Sequence, residues 1–532
     1  MSVKIWGLAA LLFASSLAHG SVSSTHDLRA AAEAAYDTKD YKESVRLYRQ
    51  AFVLGEKDAV QYYNGACSAS LSGDVDGAIA LIREAIARGY RNLRSLETDP
   101  DLVRLRSDRR WATLIMELKA ANPWLDIHAH LANSNLPANE RYLRAKAALD
   151  LGMQVPNDQD STFLQLYATV ASLVGDYDTA ERLYIQARGE DPVATGHIHA
   201  RPANEFILAK TRDRKAVFFN ESRGRAQTRA AILTLLAPLR GQGFKYLAME
   251  AFLPSTKPDA AVSCPGTQLE DKELSSRGFP VAQTGYYARE PVDAELIRQA
   301  IALGYELVAY EATGADLSRQ ASREEAQAAN LACRIKADPE ARLLVIAGFG
   351  HISEDPDFPN VLGGMMAHRF TRMTGVDPLT IDTTSLLTPP AAAIEFSSAA
   401  GEAGSSEGFV LLDDTGDAFR NVRAAYDLSL LIRAPAHRND DGASWLELGG
   451  LRRRVRMDPG PCQAIRPCLM EVRRVSEPAT AIVSDGCVLA AGQAPACHVF
   501  VTPGAHRARY FDSEMRLLSE VVVDFAGPVS PE

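Results

Sequence analysis

Residues Leu343 to Glu354 read Leu-Leu-Val-Ile-Ala-Gly-Phe-Gly-His-Ile-Ser-Glu, a short unbroken apolar run that stops at glycine and then presents a single imidazole. A run of that length bounded by glycine predicts a strand buried on both faces, its C-terminal end opening at His351. The pattern recurs at Ala216–Glu221, Tyr246–Glu250, Glu306–Glu311 and Leu379–Asp382, and each of these runs ends in an acid. Amphipathic helical patterns separate them at Thr228–Arg240, Asp293–Leu303, Ser322–Ala337 and Val361–Thr374. Such alternation points to an α/β domain with a parallel sheet. Parallel strands share one direction, so Glu221, Glu250, Glu311, His351 and Asp382 are expected along a single rim, where open α/β sheets bind ligands.

A chain of 532 residues is too long for one core and predicts a multidomain protein. Its formal charge of −10 gives no general attraction to nucleic acid. The first twenty residues carry Lys4, an apolar core from Ile5 to Leu17 and the small-residue stretch Ala18-His-Gly20, which together predict a cleaved secretory signal. That apolar core is shorter than the roughly 20 residues a membrane span needs. No later stretch is longer, so an exported protein, periplasmic or secreted and without an integral membrane segment, is expected. Export favours disulfides among the seven cysteines. Cys462, Cys468, Cys487 and Cys497 allow three pairings, and proximity in sequence favours Cys462 with Cys468 and Cys487 with Cys497. Cys67 and Cys333 fall on helical patterns and read as buried small apolar residues.

From Asp27 to Asp191 the chain is helical in pattern and repeats itself. Asp40, Asp74 and Asp176 form one column, Ser44, Ala78 and Ala180 a second, and Ala51, Ala85 and Ala187 a third, spaced by 34 residues or its multiple. These columns resemble tetratricopeptide repeats, whose helical pairs usually make a docking surface for a protein or peptide partner; the plainer reading is that they brace the next domain. A passage with Pro192, His197, His199 and Pro202 reads as a linker. The stretch Pro254–Gly285, rich in Pro and Gly, reads as a long excursion of the kind that forms lids. Past Thr388 a Pro/Ala and Ser/Gly/Glu segment reads as a connector, followed by short β-rich runs that suggest a small β-sandwich. The expected order is a signal at 1–20, helical repeats at 27–191, the α/β domain at 205–388, a linker at 389–408 and a β-rich domain at 409–526.

Several motifs of the central block, Asn220-Glu221, the helix carrying Gln227 and Arg229, Met249-Glu250, the helix carrying Arg323, Gln327 and Asn330, and Gly348-Phe-Gly-His351, resemble the erythromycin-esterase/ChaN-like superfamily, with the TIKI/TraB proteins as distant relatives. The resemblance covers about Ala216 to Asp382. It implies an acid and a histidine after the first strand, a second acid after the next strand, and a later histidine. Glu221, Glu250 and His351 match those positions and are the candidate catalytic residues. The first motif histidine is missing: Asn220-Glu221 is followed by Ser222, Arg223 and then Gly224 in its place. Arginine, whose pKa stays above about 12, cannot act as a base there and would repel a metal ion. No metal site or required cofactor is therefore expected.

Arginine at a strand-to-helix turn can fork onto a carboxylate or phosphate, or lock a neighbouring glutamate. Arg223, Arg229, Glu311, Arg323, Asn330 and Asp382 are the candidate ligand-binding residues. Two readings follow. One is an exported interaction protein whose esterase-like domain is degenerate, binding a small-molecule ligand or serving as scaffold. The other is a residual hydrolase acting on an ester or related carbonyl compound through His351, Glu221 and Glu250.

Overall fold

The computed structural model describes residues 24–153, 160–188, 199–318, 320–358, 361, 363–387, 408–412, 415–418, 426–432, 443–489 and 497–525. The expected signal, His197 and nearly all of the expected 389–408 connector lie outside these residues. The chain forms two compact units, which divide between Ala129 and His130.

The first unit is helical: α1 (Thr25–Asp37), α2 (Tyr41–Val53), α3 (Ala59–Ser72), α4 (Val75–Ala87), the short α5 (Leu93–Thr98) and α6 (Val103–Arg106), and α7 (Arg109–Ala121), with α8 (Trp124–Ala132) crossing the division. The 34-residue columns have a physical cause. Asp40 and Asp74 cap the second helix of each pair, accepting from the amides of Glu43 (3.2 Å) and Gly77 (2.9 Å). Ser44 and Ala78 are fully buried, and Ser44 Oγ donates to the carbonyl of Ala32 at 2.9 Å. After α5, Asp99 and Asp101 accept from the hydroxyls of Tyr63 (2.6 Å) and Tyr36 (2.5 Å), tying the turn back to α3 and α1.

The second unit opens with three more helices, α9 (Ala138–Asp150), α10 (Asp160–Leu173) and α11 (Tyr177–Arg188). Asp176 repeats the capping role, accepting from the amide of Thr179 at 3.2 Å. The sequence expectation placed these helices with the rest of the repeat, but they belong to the sheet-bearing unit. Asn139 donates to Glu471 (2.7 Å), Tyr177 to Glu290 (2.5 Å) and Arg225 to Glu181 (2.7 Å). At the α10–α11 turn Gly175 lies against the backbone of Gly486, where any Cβ would collide.

The unit's large sheet contains β1 (His199–Pro202), β2 (Ala216–Glu221), β3 (Tyr246–Met249), β4 (Glu306–Ala309), β5 (Leu343–Gly348), β6 (Leu379–Leu387), β7 (Phe409–Leu412) and β8 (Leu428–Ile432), in the order β1-β7-β8-β6-β2-β5-β3-β4. β6, β2, β5, β3 and β4 are mutually parallel, as are β6 and β8. β7 pairs antiparallel with β8 and β1. The expected boundary at residue 409 therefore differs from the pairing, since β7 and β8 extend the large sheet. Every residue of β2 and β5 is buried, and successive side chains enter opposite cores: Phe219 and Ile346 one, Phe218 and Val345 the other.

The remaining helices are α12 (Ala203–Lys210), α13 (Ala226–Gly241), the short α14 (Leu274–Arg277), α15 (Pro291–Ala302), α16 (Gln320–Ala337) and α17 (Met366–Thr374). α13 and α15 cover one face of the sheet, α16 and α17 the other. α17 starts five residues later than its pattern suggests because Gly363 and Gly364 both take positive φ, +82° and +75°. No helix among the described residues is long and apolar enough to cross a membrane.

The C-terminal region is antiparallel. β9 (Arg453–Met457) pairs with β12 (Cys497–Val501), and a four-stranded sheet runs β11 (Asp485–Leu489), β10 (Cys468–Arg474), β13 (Ala505–Phe511), β14 (Leu517–Asp524). Both ladders feed one core that includes Cys462, Cys468, Cys487 and Cys497, disulfide-bonded as 462–468 and 487–497. Cys333 departs from its expected role as a buried thiol: it is bonded to Cys264 and fastens the 254–285 excursion to α16. Cys67 is a free buried thiol.

Candidate functional site

β2, β5 and β3 lie side by side, with Glu221 opposite Gly348 and Met249 opposite Ile346. This register places Glu250, the residue after β3, beside the end of β5, and its Oε2 accepts from the Gly348 amide at 2.5 Å. Oε1 of Glu250 accepts from two guanidiniums, Arg223 Nη2 at 2.7 Å and Arg323 Nη2 at 2.8 Å. His351 Nε2 stands 3.8 Å from Oε2. Burial alone would raise the Glu250 carboxyl, but His351, Arg223 and Arg323 outweigh it and hold the pKa down at about 2.

His351 follows a constrained turn. Phe349 takes φ +44°, a left-handed conformation that costs a non-glycine residue about 1–3 kcal/mol. Its ring lies parallel to that of Tyr184 from α11, with centroids 6.4 Å apart, and its carbonyl accepts from Asn220 at 3.1 Å. The turn sends the His351 ring inward, where Nδ1 lies 2.7 Å from Glu324 Oε1, close but out of line with the ring N–H. Burial pushes the imidazole pKa down, but Glu250 and Glu324 on its two sides push harder and raise it above the usual histidine value.

The other candidates divide into groups. Glu311 belongs to the Glu250 network, accepting from Arg323 Nε (3.0 Å) and Gln327 Nε2 (2.9 Å). Glu221 turns away from it, to Arg229 Nε. Arg229 is fully buried and also faces Glu290 at 3.6 Å and Asp293 at 4.0 Å. Asp382 accepts from Asn220 Nδ2 (2.7 Å) and the Thr384 amide (2.9 Å), which locks β6 to β2. Asn330 donates to the Tyr310 carbonyl at 3.0 Å and abuts Gly266 of the excursion. The structure thus brings Arg223, Glu250, Glu311, Arg323 and His351 together, and gives Glu221, Arg229, Asn330 and Asp382 other partners.

Three participants escaped the sequence reading. Glu324 lies one residue from Arg323 and three from Gln327, on a helix already singled out, and it also accepts from the Met366 amide at the start of α17 (2.8 Å). Tyr287 puts its ring under Arg223, 4.5 Å from the guanidinium carbon. Tyr184 fills the space at Gly224, where an added Cβ would meet its ring at 3.0 Å. The position where the resemblance calls for histidine is thus packed against an aromatic ring from another segment.

No family model matches the chain, and no curated protein matches it either.

Proposed function

We propose that this chain is an exported binding protein. In this reading the N-terminal helical pairs are tetratricopeptide-like and dock a protein or peptide, while the α/β domain is a degenerate relative of the erythromycin-esterase/ChaN-like superfamily, serving as a ligand holder or rigid frame, followed by a β-sandwich. The observation that carries it is the saturation of Glu250 by Arg223, Arg323 and the Gly348 amide, beside an imidazole whose pKa is raised by the carboxylates of Glu250 and Glu324. A carboxyl whose pKa is about 2 has little basicity at neutral pH. Disulfides in the C-terminal core and on the excursion suit an oxidising compartment.

The alternative is a residual hydrolase in which Glu324 orients His351, favoured by the 2.7 Å contact between them. Hydrolysis of a panel of p-nitrophenyl esters across pH 6 to 9 separates the two readings. The binding-protein reading expects rates equal to buffer. Turnover that disappears in His351→Ala, with the fold intact by circular dichroism, would replace it with the hydrolase.

A further inference from the structure

We propose that Arg223 and Arg323, converging above Glu250, form a receptor for a small oxyanion, a carboxylate or a phosphate group. The inference rests on the binding-protein reading and names the ligand class of that site. Both guanidiniums approach the same oxygen of Glu250, which brings their Nη2 atoms together. Arg323 spends Nε and Nη2 on Glu311 and Glu250, while Arg223 spends only Nη2, and its Nε is buried with no acceptor. The Nη1 groups of both have no acceptor among the described residues. Arg223 Nε is the buried one of these, and a desolvated donor left unmatched costs stability and calls for a partner.

The arrangement is layered by charge. Arg223 and Arg323 keep 30% and 19% of their side chains exposed, whereas Glu250 beneath them keeps 6%. What a ligand meets first is therefore guanidinium, backed by the Tyr287 ring under Arg223. The planar fork suits a carboxylate or phosphate, which takes two parallel N–H bonds. Glu250 and Glu311 hold the forks in place and also compete with the ligand for them. Removing the competitor should therefore strengthen binding, a sign that a purely structural ion pair would not give.

The test uses the full chain, with inorganic phosphate and benzoate as separate probes in titration calorimetry, against chloride at matched ionic strength. Saturable binding of at least one probe is expected, and the probe that binds identifies the group recognised. Arg223→Gln and Arg323→Gln should each weaken it about tenfold or more. Arg223→Lys, which keeps the charge and loses the fork, should weaken it even if the glutamine variants fold poorly. Glu250→Gln should tighten it. Responses equal to chloride, or binding indifferent to all three arginine variants, would overturn the receptor. Ester turnover would unseat the binding-protein reading while leaving this site standing. Absence of both binding and turnover would remove the receptor and leave a rigid frame.

Discussion

Two charged clusters lie near the strand ends of one sheet and differ in cations per acid: Arg223, Arg323 and the His351 ring stand among Glu250, Glu311 and Glu324, whereas Arg229 alone stands among Glu221, Glu290 and Asp293. Around Glu250 the guanidiniums of Arg223 and Arg323 and the His351 ring are at hand, the carboxyl pKa falls to about 2, and part of the cluster reaches solvent. Around Arg229 one guanidinium faces Glu221, Glu290 and Asp293, all buried. There burial raises the carboxyls of Glu290 and Asp293, with Arg229 only partly offsetting it, and both Asp293 oxygens lack a hydrogen-bond partner. The pair teaches that the count of cations per acid decides whether a buried acid is held ionised or driven toward its neutral form. The first cluster has donors to spare for a ligand. The second is a structural joint between β2, α13 and α15.

The most damaging change should be Arg229→Met, which leaves three acids without their cation. A loss of about 3–5 kcal/mol in urea unfolding is expected, the usual cost of breaking a buried pair. A loss below about 1 kcal/mol would mean the acids are already neutral in the native state.

Asp293→Asn should act the other way. A carboxyl whose folded pKa is raised contributes stability that is lost as pH climbs from the unfolded value of about 4 toward the folded one. The variant should therefore be more stable than the parent at pH 7, by roughly 1 kcal/mol or more, with the difference closing near pH 4. Equal stability at both pH values would show that Asp293 shares no proton balance with its neighbours.

Glu250 has the reverse sign: its depressed pKa gives stability present above about pH 4 and lost as pH falls toward 2. Glu250→Gln should flatten the parent's acid limb in that window. The same variant should lower the His351 pKa, read from imidazole shifts in NMR, because one of its two flanking charges has gone. The smallest effect expected is from Gly224→Ala. Its Cβ meets an aromatic edge at 3.0 Å, so a loss of about 1 kcal/mol is expected, with no change in anion binding.

Much of this was legible in the chain. Four runs ending in acids, and a fifth that opens at His351, gave the parallel strands, because burial on both faces leaves an unbroken apolar signature. The same signature was present in Phe409–Leu412 and Leu428–Ile432, buried throughout and joined to the large sheet, while β13 alternates between buried and partly exposed residues. Continuity against alternation was the available signal for the boundary there. What periodicity does not carry is the identity of distant partners. Cys333 sits on an ordinary helical pattern, and nothing near it names Cys264, 69 residues away. Likewise the columns of aspartates gave helix caps at Asp40, Asp74 and Asp176 but not which unit each pair would join.

Tyr184 and Gly224 constrain each other across two segments. Because the space beside residue 224 is already occupied from a separate helix, a histidine arriving there by a single substitution would meet an obstacle before it met any substrate. Any larger side chain there therefore asks for a matching retreat of Tyr184, so a change on one segment is tuned by the residue on the other.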